Sequence, residues 1–347
     1  MINDIFLKAC KRQPTNRTPV WMMRQAGRYL PEYRAVRAKT DFLTLCKTPE
    51  LATEVTIQPV DILRVDAAII FSDILVIPEA MGMELIVEEG KGGPRFPSPL
   101  RSKEDINKIQ VPDPNEKLKF VMDALRLTRK SLSDRVPLIG FSGSPWTLAA
   151  YMVEGHGSKN FRYAKELIYN EPKLAHQLLD KLAKSVAAYL SAQIEAGAQA
   201  VQIFDTWGGI LTQDAFQEFS LYYIRQIIEE TKTKGAPIIV FCKDCGHSLE
   251  KIAATGCDVV GLDWSNDIGM VRKLIGSTTA LQGNMDPTIL YTKPERIRQE
   301  VKMILEKFGK GNGHIFNLGH GILPDIPVEH AREFINAVKE ESVSFHL

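Results

Sequence analysis

The stretch Ala198-Gln199-Ala200-Val201-Gln202-Ile203-Phe204-Asp205 decides how the chain is read. Apolar residues run almost without interruption to an acidic end, and Thr206-Trp207-Gly208-Gly209 then supplies a turn. Residues 213–234 carry helical periodicity, and residues 237–242 begin another apolar run. A strand covered on both faces loses the in-out alternation of a half-exposed one, and strand, turn, helix, strand is the repeating unit of a parallel sheet. Working outward, further runs of this kind lie at residues 19–23, 66–72, 136–141, 259–263, 279–282 and 314–317. The intervening helical segments are 48–63, 115–132, 171–195, 248–255, 268–274, 293–307 and 327–340. Eight strands separated by helices predict an α/β fold of the (β/α)8 TIM-type barrel class. The connection after the second strand is long. Within it, residues 83–87 and 94–97 flank Glu88-Glu89-Gly90-Lys91-Gly92-Gly93, a pattern that predicts an inserted hairpin. No stretch has the composition of a linker, so residues 1–347 are expected to form a single domain.

Composition limits the function. The 347 residues carry 43 Lys+Arg against 42 Asp+Glu, a net charge of +1, with 44% hydrophobic and 24% charged residues. Such a chain folds rather than remaining disordered, and it has no bulk charge with which to hold nucleic acid. Five cysteines make no disulfide scaffold, which points to a reducing, cytoplasmic setting. Residues 1–17 include Lys8, Lys11, Arg12 and Arg17 but no signal-like apolar stretch, and no apolar run approaches the roughly 18 residues of a membrane span.

Barrels of this class place chemistry at the C-terminal ends of the strands. The residues there are Arg24 and Arg28, Asp73, Ser142, Asp205 with Thr206, Lys243, Asp263 with Trp264, Asn284 with Asp286, and His320. Arg24, Arg28, Arg34 and Arg37 fall within fourteen residues. Guanidinium forks suit carboxylates or phosphates, and Gly27 lets the backbone approach a ligand; a solvated, salt-bridged loop has the same composition. Asp73 follows Ile69-Ile70-Phe71-Ser72, which carry no ionisable group, and is placed either to accept substrate N–H bonds and stabilise a cation or to cap the next turn. Thr206 offers a hydroxyl to a carboxylate or to a helix cap, and Tyr151 offers a phenol to the site or to packing. His320, between Gly319 and Gly321, reads as a ligand contact because packing does not need bare backbone there. The turn Gly140-Phe141-Ser142-Gly143-Ser144-Pro145-Trp146-Thr147 resembles a phosphate cradle but lacks the P-loop ending. Cys242-Lys243-Asp244-Cys245-Gly246-His247 has the spacing of half a zinc site; without a second cluster the thiols are read as free.

Several of these motifs together resemble one family. Pro19-Val20-Trp21-Met22-Met23-Arg24-Gln25-Ala26-Gly27-Arg28-Tyr29-Leu30-Pro31-Glu32-Tyr33-Arg34 is similar to the N-terminal signature of the uroporphyrinogen decarboxylases. Phe71-Ser72-Asp73-Ile74-Leu75, Pro145-Trp146-Thr147-Leu148, Tyr151-Met152-Val153-Glu154-Gly155, Phe204-Asp205-Thr206-Trp207-Gly208-Gly209, Gln282-Gly283-Asn284-Met285-Asp286-Pro287 and Asn317-Leu318-Gly319-His320-Gly321 resemble its other motifs in order. The resemblance implies a cytosolic, homodimeric carboxy-lyase that needs no cofactor or metal. Its implied reaction converts the four acetates of uroporphyrinogen III to methyls, giving coproporphyrinogen III and four CO₂. The same resemblance makes Arg24, Gln25, Ala26, Gly27 and Arg28 substrate contacts, and Arg37 a further contact and candidate proton donor. Asp73 becomes acceptor for the pyrrole N–H groups and stabiliser of the cation, with Tyr151, Thr206 and His320 on substrate carboxylates. The cysteine pair departs from that family and leaves a competing reading, a zinc-dependent corrinoid or thiol methyltransferase on the same barrel. A non-catalytic tetrapyrrole-binding protein is a third, which would keep the arginines without needing Asp73.

Overall fold

The computed structural model describes residues 3–87 and 93–346. Seven strands form one wholly parallel sheet in chain order: β1 (Ala68–Ile69), β2 (Leu138–Gly143), β3 (Ala200–Asp205), β4 (Ile238–Cys242), β5 (Val259–Gly261), β6 (Ala280–Gln282) and β7 (His314–Ile315). Their side chains are almost entirely buried, as continuous apolar runs require when helices cover both faces. Helices alternate with the strands, among them Pro49–Leu63 before β1, Pro145–Glu154, Pro172–Glu195 and Pro294–Phe308 between strands, and Val328–Glu341 after β7. Four of these open with Pro, where its preset φ and missing N–H cost nothing.

The sheet curls far enough for distant strands to meet inside. Gln282 Nε2 of β6 donates to Gln202 Oε1 of β3 at 3.2 Å, and Trp21 Nε1 donates to Gln282 Oε1 at 2.9 Å. All three side chains are buried.

Residues 19–23 do not form the expected strand. They contribute a single parallel bridge, Val20 to Phe316. Phe316 N donates to Pro19 O at 2.8 Å on one side, and Asp66 N donates to Val20 O at 2.8 Å on the other, so the segment fills the interval between β7 and β1. Its regular ladder is replaced by a side chain: Asp66 Oδ2 accepts the Val20 N–H at 2.9 Å. The same carboxylate is gripped by Arg17 through two 2.7 Å bonds and by Asn3 at 2.8 Å. The run 66–72 is likewise curtailed, because Asp66 serves this clamp and Phe71 N turns to Thr56 Oγ1 at 2.9 Å.

Two expected helices are interrupted. Residues 115–132 divide at Leu118, and the helix after β3 contains a π turn, Gln217–Leu221, that carries Ser220 towards β3. Pro31–Arg37 and Phe42–Lys47 are helices too short for periodicity to announce. In the long connection after β1, Ile86 and Arg95 exchange backbone bonds of 3.0 and 2.9 Å, forming one antiparallel bridge; the glycine turn at 88–92 lies outside the described residues. Among the described residues, no helix is long and apolar enough to cross a membrane.

Asp66→Ala leaves the Arg17 guanidinium, whose side chain is 19% exposed, without its carboxylate partner and frees the Val20 N–H. The expected loss is about 3–5 kcal/mol of unfolding free energy, read by urea denaturation; a change below about 1 kcal/mol would show that Asp66 does not hold the segment.

Candidate active site

The parallel register sets the floor of the site. Asp205 aligns with Cys242, and Gly143 with Phe204, so β2, β3 and β4 end together. Asp205 itself is fully buried and accepts from Ser144 Oγ and Thr147 Oγ1 at 2.7 Å each and from Ser220 Oγ at 2.5 Å. Burial raises its pKa while the hydroxyls from Ser220, Ser144 and Thr147 act against that. Ser144 Oγ also caps the following helix by accepting Thr147 N at 3.0 Å. The hydroxyls that made the Gly-rich turn resemble an anion cradle are therefore spent on Asp205. Trp207 is held by its backbone, donating to Thr147 Oγ1 at 3.2 Å and accepting from Trp146 Nε1 at 2.9 Å, which leaves neighbouring Thr206 half-buried at the strand end.

Arg24, Asp73, Tyr151 and His320 converge. Arg24 sits at φ 62°, a left-handed turn that lifts its exposed side chain out of the segment. Its charge favours the ionised forms of Asp73 and Tyr151 and opposes protonation of His320. Asp73 lies half-buried at the bottom of a recess, with Oδ1 accepting Leu75 N at 2.8 Å. Loss of water raises its pKa; the Leu75 N–H and then Arg24 pull it down, and Glu79 raises it further. For Tyr151, burial raises the phenol pKa, and the ring lies 6.3 Å from that of Trp207. His320 is pushed down to about 4 by burial first, then by Arg24 and Lys243. It is a neutral imidazole at pH 7, able to exchange hydrogen bonds with a carboxylate but carrying no charge.

The glycines beside His320 have a packing reason, contrary to the sequence expectation. A Cβ on Gly321 would lie 2.3 Å from Arg24 Cδ, and one on Gly319 would lie 2.5 Å from Trp264 N. Arg24 lies against the His320 turn because Gly321 leaves it room.

Arg28 and Arg37 form a second group. Both charges bear on buried Tyr33, and that of Arg37 also bears on Cys46, which feels Asp73 in turn. Arg37 ends the helix Pro31–Arg37 and donates to Thr40 O. Gln25 is a strut and not the expected substrate contact: wholly buried, its side chain accepts Met22 N at 3.1 Å and donates to Ala67 O at 3.0 Å, while its backbone N donates to Met22 O and its backbone O accepts from Tyr29 Oη; half-buried Ala26 and Gly27 remain available to a ligand.

Two residues outside the expected set shape this recess. Trp207 joins Tyr151 to Phe161, whose ring centroid is 4.6 Å away, and Lys243 sets part of the charge at His320. Lys243 was visible as a strand-end cation, whereas nothing in the sequence marked Trp207 as a wall.

The cysteine motif does not assemble as a metal site. Cys242, Cys245 and Cys257 are buried free thiols while His247 is exposed. Among the described residues, no group of three or more His, Cys, Asp or Glu is placed to hold a metal ion. Cys245 Sγ donates to Lys243 O at 3.3 Å. A groove of about 800 Å³ beside Lys173, His176 and Tyr222 lies among the outer helices, with no strand-end residue in its lining.

A curled parallel sheet with arginines, a desolvated carboxylate, a phenol and a neutral imidazole gathered beside its strand ends defines an α/β protein. The family described as uroporphyrinogen decarboxylase (URO-D) matches residues 1–341. The uroporphyrinogen decarboxylases of Chlorobium phaeovibrioides and Enterobacter sp. are 57% and 58% identical to the chain, each comparison covering 99% of both proteins. The chain belongs to the uroporphyrinogen decarboxylase family. Among solved structures, a methyltransferase from Methanosarcina mazei superposes with a TM-score of 0.83 over 98% of both chains at 20% identity, a likeness of fold alone.

His314, stacked 4.4 Å from Phe308, is likewise buried and pushed down to about 4. Between about pH 6.5 and 4 the unfolded chain binds protons at His314 and His320 that the folded chain refuses. Unfolding free energy should therefore fall as pH drops through that window. Urea titrations at several pH values should show a shallower fall in His314→Phe and His320→Gln; slopes equal to the parent's would exclude buried neutral histidines.

Proposed function

We propose that the chain is a uroporphyrinogen decarboxylase, converting the four acetate groups of uroporphyrinogen III to methyls with release of four CO₂ and no cofactor. The observation that carries the reading is the convergence of Arg24, Asp73, Tyr151 and His320, in a chain matched by that family over residues 1–341. The substrate is an octacarboxylate with four inward N–H groups. Arginines answer its rim and a lone acceptor answers its centre.

Each round breaks one C–C bond. A proton added to a pyrrole ring carbon makes the ring an electron-poor cation; the pair released as CO₂ departs flows into it; the side chain ends as methyl once it takes a proton and the ring loses one. Asp73 accepts the pyrrole N–H bonds and, being desolvated, stabilises the cationic ring more strongly than a carboxylate in water does. Arg24, Arg28 and Arg37 take substrate carboxylates, joined by the backbone of Ala26 and Gly27, with Gln25 supporting the turn from beneath. Tyr151, Thr206 and His320 supply neutral hydrogen bonds, and Arg37 or bound water delivers the proton.

The same proposal includes closure of the sheet into a (β/α)8 barrel with residues 19–23 in the eighth position, a hairpin after the second strand, and one domain over residues 1–347. It places the protein in the cytoplasm as a homodimer.

Asp73→Asn keeps the size of the side chain but removes the charge. Anaerobic assay with uroporphyrinogen III, separating products by carboxylate number, should show turnover down roughly 10²–10³-fold with the folded state retained. Absence of hepta- to tetracarboxylate products from the parent protein would reject the function, and near-parental turnover in the variant would reject the role of Asp73.

A further inference from the structure

The strand order gives the mouth two sides. Counting residues 19–23 as one position between β7 and β1, β4 is four positions away in either direction, so the turn after β4 stands opposite Arg24. That turn begins with Lys243. Its side chain is the less exposed half of an ion pair with Asp244, 25% against 57% exposed. The Lys243 Nζ stands 5.8 Å from the centroid of the Trp264 ring, and its charge reaches His320.

The backbone beneath it is clamped. Lys243 N donates to Asp205 O at 3.1 Å, and Lys243 O accepts from Gly209 N at 3.1 Å and from Cys245 Sγ at 3.3 Å. Asp244 N donates to Asp263 Oδ2 at 2.6 Å. Asp263 Oδ1 also accepts from Ser265 N at 2.9 Å and Asn266 Nδ2 at 2.8 Å, tying the turns after β4 and β5 together. The Cys242-x-x-Cys245 spacing thus serves a tight turn. The ion pair between adjacent, partly exposed residues is worth little and is easily exchanged for another carboxylate.

We propose that Lys243 is a substrate-binding residue that takes a carboxylate on the side of the mouth opposite Arg24, exchanging Asp244 for it. This rests on the octacarboxylate reading: a macrocycle with carboxylates all around its rim needs cations on more than one side, and Arg24, Arg28 and Arg37 all come from one connection. His320 stands between the two sides, with Arg24 and Lys243 as its cationic neighbours and Asp244 and Asp263 as its anionic ones.

The test compares parent, Lys243→Gln and Lys243→Arg proteins, assayed anaerobically with uroporphyrinogen III, with His320 titrated by NMR in the absence of substrate. Lys243→Gln should raise KM roughly 10- to 100-fold, the span expected for losing one charge-assisted hydrogen bond, with kcat within about twofold. Lys243→Arg should recover most of the affinity and serves as the folding control. The His320 titration midpoint should rise in Lys243→Gln and stay near the parent's in Lys243→Arg. An unchanged KM in Lys243→Gln, with the parent turning over, overturns the contact. An unchanged His320 midpoint overturns the placement of the ammonium without reference to any substrate. A parent that makes no product rejects the functional reading and with it the carboxylate named here.

Discussion

One buried carboxylate fixes the segment that leads into Arg24. Asp66 takes the Val20 N–H, both forks of Arg17 and the Asn3 amide, and so pins residues 19–21 between β7 and β1 where a regular ladder is lacking. Bidentate guanidinium–carboxylate geometry supplies the direction that a single backbone bridge cannot. Four residues beyond Val20 comes Arg24, whose contact with the His320 turn depends on that segment lying where Asp66 puts it. Buried Gln25 extends the same support by bonding to Met22 N and Ala67 O.

Desolvation acts oppositely on the acid and the base in the recess. It raises Asp73 and lowers His320, driving each towards its neutral form. Arg24 then separates them, returning Asp73 towards the anion and pushing His320 further from the cation. A single guanidinium thereby favours a charged carboxylate at Asp73 and an uncharged imidazole at His320. The arrangement suits a substrate with N–H groups inside and carboxylates outside.

Legibility followed the range of the interactions. Strands β2 to β7 announced themselves because continuous apolar runs need no partner information beyond burial on both faces. Residues 19–23 read as a strand for the same reason, and were curtailed because the partner of Val20 N is a side chain 46 residues away. The turn at 140–147 resembled a phosphate cradle, and its Ser144 and Thr147 hydroxyls instead serve Asp205, roughly 60 residues on. The glycines around His320 marked a special place correctly but for a different cause, the close approach of Arg24 and Trp264.

By itself the sequence determined the order of βα units, the strand ends at which chemistry-bearing residues appear, and the cluster of arginines after the first of them. These depend on local patterning: apolar runs, helical periodicity, and turn residues next to them. Tertiary structure alone decided that Arg24 acts on Asp73, Tyr151 and His320 together, that Gln25 is a strut, that the buried thiols and exposed His247 do not converge, and that Lys243 bears on His320. Burial and Coulomb interaction depend on distances between residues far apart in the chain, and those distances exist only once the sheet has curled.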